Sequence, residues 1–200
     1  MLSHKFKEGL PLAKELSVSD SGMRSTVILR EFTQDDISSD YIGWLNNKDL
    51  VRFSNQRFMT HDESSCRDFF TSVNRSNSVF LAIEYEAPGV TGSLSTALVG
   101  TMTVHFNQHH GTADMGILVG EPSVTGLGVA SAAWGMAMNH ALAIPEIRKV
   151  TAGTLSCNQP MLGVIRKSGM QPDGIRVDQE LVEGVAFDML HFARFSDSTL

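Results

Sequence analysis

The order of elements in this 200-residue chain predicts a mixed α/β (α+β) fold. Three observations carry that prediction. Residues 78–119 hold three consecutive strand patterns with short links, the mark of an antiparallel meander. Helical apolar spacing stands before and after this meander. At 42% hydrophobic and 19% charged, the composition is that of one globular domain. A chain of this length buries roughly 70% of its unfolded surface, enough to need no disulfide or metal staple.

In chain order, residues 1–24 read as an N-terminal extension. It has mixed charge, a short helix over Leu10 to Leu16 and a linker at Ser17 to Gly22. Met23 offers an alternative start, and the domain proper spans residues 25–197. Val27 to Phe32 is the first strand. Thr33 to Asp36 opens a helix that runs to about Asn46 and carries Ile37, Tyr41, Trp44 and Leu45 on one face. An irregular segment covers residues 50–60. A second helix from Thr60 or Asp62 turns Cys66, Phe69, Phe70 and Val73 inward. The meander follows as Ser78 to Glu86, Ala97 to Phe106 and Thr112 to Val119. Gly126 to Ile144 is a long apolar helix ended by Pro145. Val150 to Leu155 is a strand, Gln159 to Lys167 a helix stopped by Gly169, and residues 174–195 a hairpin.

Charge excludes some functions. The net charge is −6, the opposite of a non-specific nucleic-acid binder. Between Arg75 and Arg148 there is no Lys or Arg, so a phosphate bound in that stretch must rely on backbone N–H groups. The two cysteines, Cys66 and Cys157, form no metal spacing, and the histidines show no ligand motif. The mean hydropathy of −0.04 and the glycine-broken apolar stretch argue against a membrane span, and residues 1–22 lack a secretory signal. The cytoplasm is the expected location.

The chemistry-bearing stretch runs from Ala113 to Ser131: a strand, a glycine turn, then a helix. Free N–H groups at such a helix start, with the helix dipole, make an anion site. Glycine lets a diphosphate approach the backbone. No Gly-Lys-Ser/Thr follows, which excludes a P-loop. The strand belongs to a meander, which weighs against a dinucleotide-binding βαβ unit.

On these residues the chain resembles the GNAT superfamily of acyl-CoA-dependent N-acyltransferases over about residues 25–195. Its fingerprint Gln/Arg-x-x-Gly-x-Gly/Ala reads here Thr125-Gly126-Leu127-Gly128-Val129-Ala130, with Thr125 as the departure. Asn158 ends the following strand, and Gly169-Met170 stands where the family has Gly-Phe. With Trp44-Leu45-Asn46, the look is closest to the RimJ/RimL-like branch. The resemblance implies a mostly antiparallel twisted sheet of about seven strands with about four flanking helices. Strands four (Thr112 to Val119) and five (Val150 to Leu155) splay apart. Ile117, Leu118 and Val119 would pair with the pantetheine arm of acetyl-CoA, residues 125–131 (Thr125 to Ser131) would cradle its diphosphate, and Asn158 would bind further polar atoms.

It also implies transfer of an acetyl group to a primary amine by direct attack, without a metal. In the histone-acetylating branch the base is a Glu on strand four, fourteen residues before the first motif glycine. Asp114 stands fourteen residues before Gly128. His105 and Glu84 are weaker candidates. The Tyr that many members place seven residues after the strand-five Asn is Ile165 here, which removes that acid. Trp44, Asn55, Gln56, Arg57 and His61 are the expected acceptor-site residues. The acceptor is a small molecule, with an amino sugar slightly favoured, or a protein N-terminus. A non-catalytic acyl-CoA sensor or scaffold is the rival class. The chain is expected to act as a monomer or homodimer, with no nucleic-acid or membrane partner.

Overall fold

The computed structural model describes residues 1–17, 24–88 and 93–196. The linker read at Ser17 to Gly22 lies outside these residues beyond Ser17, as does Met23. So does most of the turn read between the first two meander strands.

One eight-stranded sheet organises the chain, in the order β1-β2-β3-β4-β5-β6-β8-β7. The strands are β1 (Leu12–Ser17), β2 (Arg24–Glu31), β3 (Ser78–Pro88), β4 (Leu94–Asn107), β5 (Thr112–Val119), β6 (Lys149–Leu155), β7 (Gln171–Val182) and β8 (Val185–Phe195). Every pairing is antiparallel except β5 with β6. The helices are α1 (Leu2–Lys7), α2 (Ser39–Asn46), α3 (Glu63–Arg75), α4 (Val129–Leu142) and α5 (Gln159–Ser168).

The expected helix at Leu10 to Leu16 is the strand β1, which pairs with β2 from Leu12↔Leu29 to Ser17↔Arg24. The helix stands earlier, as α1. It buries Leu2 and Phe6 in the main core, Phe6 completely. Leu12 and Leu16 pack against the main core from this edge strand, while Ala13, Lys14 and Glu15 are exposed. The expected seven strands become eight by this addition.

The expected helix over residues 33–46 splits. Thr33 caps a 3₁₀ turn (Gln34–Asp36), and Ser38 starts α2 by accepting from the Tyr41 N–H. Contacts from two strands hold the break. Asp36 accepts two bonds of 2.7 Å from the Arg30 guanidinium, which also reaches Glu84 at 2.8 Å. Glu84, a candidate base, is thereby held in an ion pair. The α3 cap is Asp62, which accepts from the Ser65 N–H.

Two apolar layers cover the sheet. On one face, α1 and α4 pack on Val27, Leu29, Leu81, Val104 and Met115. The α4 helix buries Val129, Ala132, Ala133, Trp134, Ala137, Met138 and Ala141, consistent with its glycine- and alanine-rich sequence. On the other face, α2 and α3 enclose Phe32, Tyr41, Trp44, Phe80 and Ala82. Ile165, at the position of the missing tyrosine acid, lies in the first layer and is 1% exposed.

Candidate active site

The site begins where two strands part. β5 and β6 pair only at Thr112↔Lys149, Ala113↔Val150 and Asp114↔Thr151. Past that rung, β5 stays paired with β4 up to Gly100↔Val119, and β6 with β8 up to Leu155↔Met189. A wedge therefore opens between them, and Ile117, Leu118 and Val119 face it with one unpaired strand edge. Unpaired N–H and C=O groups on such an edge are free to hydrogen-bond an extended chain.

Above the open end lies the glycine turn. A 3₁₀ turn (Pro122–Val124) leads to an extended Thr125. Gly126 and Gly128 then take φ of +80° and +86°, a region that disfavours any side chain. Gly128 is the N-cap of α4 and offers no side chain to its first N–H groups. Those groups have no intrahelical acceptor, so the turn presents bare donors at the positive end of the helix dipole. A Cβ added at either glycine would meet nothing within 4 Å, so the turn opens outward. Val129 is buried, Ala130 and Ser131 are half-buried, and Leu127 is exposed.

Folding adds cations here that the local sequence lacks. Lys14 of β1, Lys167 of α5 and Arg194 of β8 line a groove of about 330 Å³ together with Gly128, Ser131 and Gly135. The expectation that a phosphate here must rely on the backbone alone is corrected: the missing charges arrive from both ends of the sequence. Asn158 stands at the start of α5, where its Oδ1 accepts from the Met161 N–H at 3.3 Å. It is a helix cap at the end of β6.

Asp114 sits on the last closed rung of the wedge. It is exposed, and its Oδ2 accepts from Thr151 Oγ1 at 2.7 Å. His105, its cross-strand neighbour, is bonded through Nδ1 to Ser78 Oγ at 2.8 Å. Both belong to the closed end.

The face of the wedge toward α2 and α3 is walled by side-chain bonds. Trp44 lies so close over Gly120 that a Cβ there would fall 2.0 Å from the indole ring. Asn46 clamps α2 to the start of α3: its Oδ1 accepts from the His61 N–H and its Nδ2 donates to the His61 carbonyl, both at 2.8 Å. Lys48 donates to the carbonyls of Arg57 and Met59 and so holds the 3₁₀ turn (Asn55–Phe58). Arg57 then ties this turn to the β7–β8 hairpin, donating to Glu180 Oε2 at 3.4 Å and the Leu181 carbonyl at 3.1 Å.

Four buried atoms in this region lack a hydrogen-bond partner among the described residues: Gln56 Oε1, Arg57 Nη1, His61 Nε2 and His191 Nε2. Burial lowers the His61 pKa, and the nearby Lys48 lowers it further. Asn55 is exposed. His191 escaped the sequence reading. It lies in β8 with its ring over Gly153 of β6, and only its place in the hairpin alternation hinted at it.

A family model of the acetyltransferase (GNAT) domain matches residues 26–171. No curated protein matches the chain. Among solved structures, the fold is similar to Mycobacterium smegmatis RimJ in complex with CoA-disulfide, at 20% identity and a TM-score of 0.71 over 96% of this chain and 90% of that one. It is also similar to RimL, a ribosomal alpha-N-protein acetyltransferase in complex with coenzyme A, at 16% identity and 0.69 over 92% and 99%. Spermidine N-acetyltransferase from Vibrio cholerae, in complex with CoA and spermine, aligns at 14% identity and 0.68 over 85% and 95%. The parted parallel strands and the glycine turn above them accord with the family match: this chain belongs to the GNAT acetyltransferase family.

Proposed function

We propose that the protein transfers the acetyl group of acetyl-CoA to the primary amine of a small molecule. The observation that carries this reading is the end of the β5–β6 ladder at Asp114↔Thr151, directly below an α4 N-terminus that no side chain caps. The pantetheine arm enters the wedge and bonds the free edge at residues 117–119. The diphosphate lies on the N–H groups of the turn from Gly126 to Ser131. A β5 N–H stabilises the oxyanion as the amine attacks. The thioester is already activated, so the step needs no metal.

The acceptor lies on the α2/α3 face. Arg57 commits Nη2 to the hairpin but leaves Nη1 buried and unpartnered, beside the unpartnered Gln56 Oε1. A phosphate or carboxylate on the acceptor would pair with the first, and a hydroxyl would donate to the second. These orphans favour an anionic, hydroxyl-bearing amine, such as a phosphorylated amino sugar, over a protein N-terminus.

Calorimetry with acetyl-CoA and thiol release across a panel of amines test the reading. The panel should include an amino-sugar phosphate, spermidine and a short peptide. Binding with turnover of the amino-sugar phosphate is the expected result. Binding without turnover of any amine selects the sensor reading instead.

A further inference from the structure

One cross-strand row of the sheet is stripped of side chains where the wedge opens. β4 contributes Thr103 to this row, paired with Gly116 of β5. Gly116 is two residues past Asp114, and Gly153 is two residues past Thr151, so each glycine stands just beyond the last closed rung. Gly153 pairs with His191 of β8, and His191 pairs with Gly174 of β7. Reading across, the row is Thr103, Gly116, the opening, Gly153, His191 and Gly174.

All of these side chains lie on the α2/α3 face. The Thr151–Asp114 bond fixes the face for both strands beside the wedge. A Cβ on Gly116 would point at Thr103 Oγ1, 3.0 Å away, and a Cβ on Gly153 at the His191 ring and Met189 sulfur, 3.5 to 3.6 Å away. Glycines at 153 and 174 thus give His191 lateral room on both neighbouring strands. The imidazole is the one titratable side chain in the row, and it leans across the bare strand that borders the opening.

Its chemistry is unspent. His191 Nε2 is shut off from solvent and has no hydrogen-bond partner among the described residues. A buried polar atom without a protein partner calls for a strained, catalytic, water or ion explanation. Asp114 differs on each count: it is exposed, engaged with Thr151, and placed where the strands are still paired.

We propose that His191, rather than Asp114, is the base of the transfer, a proposal that rests on the acetyl-transfer reading above. The acceptor ammonium gives one proton to Nδ1 of the neutral imidazole, the ring nitrogen turned toward Gly153. The freed amine lone pair attacks the thioester carbon, and a C–N bond forms. The C–S bond then breaks, and the second nitrogen proton passes to the departing CoA sulfur. The imidazolium releases its proton to solvent, which leaves amide, thiol and one proton. Asp114 serves as a positioning residue through Thr151.

The test is affinity labelling with bromoacetyl-CoA, which alkylates a nucleophile beside the reactive carbon with loss of bromide. It is run in a Cys157→Ser chain, because a thiol at the end of β6 would outcompete an imidazole. The expected label maps to His191 by peptide mass spectrometry, is blocked by excess CoA, and disappears in His191→Gln. In the same assays His191→Gln lowers kcat/KM by roughly 10²- to 10⁴-fold with the fastest panel amine. Its acetyl-CoA Kd and Tm stay unchanged, and Asp114→Asn loses less than tenfold. A CoA-protected label on another residue overturns the proposal, as does acetyl-CoA binding without any protected label. So does a loss under tenfold in His191→Gln. If acetyl-CoA neither binds nor is consumed with any amine, the acetyl-transfer reading itself falls, and this proposal falls with it.

Discussion

The two sides of the wedge are built from different materials. On the α4 side, the diphosphate turn is backbone: two left-handed glycines, an uncapped helix start, and cations set around the neighbouring groove. On the α2/α3 side, the wall is a chain of side-chain bonds, Asn46 to His61, Lys48 to the 3₁₀ turn, and Arg57 to the hairpin. Backbone donors suit a ligand part that never changes. Side-chain networks can be rewritten residue by residue, so they suit the acceptor. The sharpest consequence is that substitutions on the two sides should separate cleanly into donor and acceptor effects.

The largest expected effect is on the backbone side. Gly128→Glu places a side chain at φ +86° and a carboxylate at the anion site. Left-handed strain of roughly 1–2 kcal/mol and charge repulsion together should weaken acetyl-CoA binding by at least about 100-fold. Calorimetry decides it, and an unchanged Kd removes the turn from the donor site.

Next comes the support of α4. The Phe6 carbonyl is hydrogen-bonded to His140 Nε2 at 2.7 Å, and the Phe6 ring meets the imidazole edge-on at 4.6 Å. Phe6→Ala should cost roughly 3–5 kcal/mol. Scanning calorimetry should show a Tm drop of about 6–20 °C. A Tm within a degree of wild type would return residues 1–17 to the status of a loose extension.

On the side-chain wall, Arg57→Ala removes one charged partner of the acceptor. We expect the acceptor KM to rise about 10- to 100-fold, with the acetyl-CoA KM unchanged. A shift in the acetyl-CoA KM would break the division between the two sides.

The smallest effect concerns pH. His61 has a lowered pKa through burial, so the unfolded chain takes up a proton more readily than the folded one. The stability from neutral His61 is present above the unfolded pKa of about 6.5 and is lost as pH falls below it. Wild type should therefore melt lower at mildly acidic than at neutral pH, and His61→Gln should narrow the gap. An equal gap in both would place the titration elsewhere.

Much of this was legible in the chain itself. The meander, the apolar α4 and the glycine turn rest on local periodicity and on backbone demands that only glycine meets, so residues 78–155 read nearly as they fold. Short amphipathic pieces did not. Leu12 and Leu16 stand four apart, a helical spacing, and the segment becomes a strand only because β2 supplies its partner. The break after Asp36 depends on Arg30 and Glu84, the latter 48 residues away along the chain. The candidate site divides the same way. The donor turn lies within one continuous stretch, whereas Lys14, Lys167 and Arg194 meet at its groove only through sheet order. Arg57 looked free for an anion until the hairpin brought Glu180 to it. His191 gained its place from the register that sets it between Gly153 and Gly174. Local sequence fixes what one element needs; which side chains share a space is decided by strand order and register, and those arise from contacts far apart along the chain.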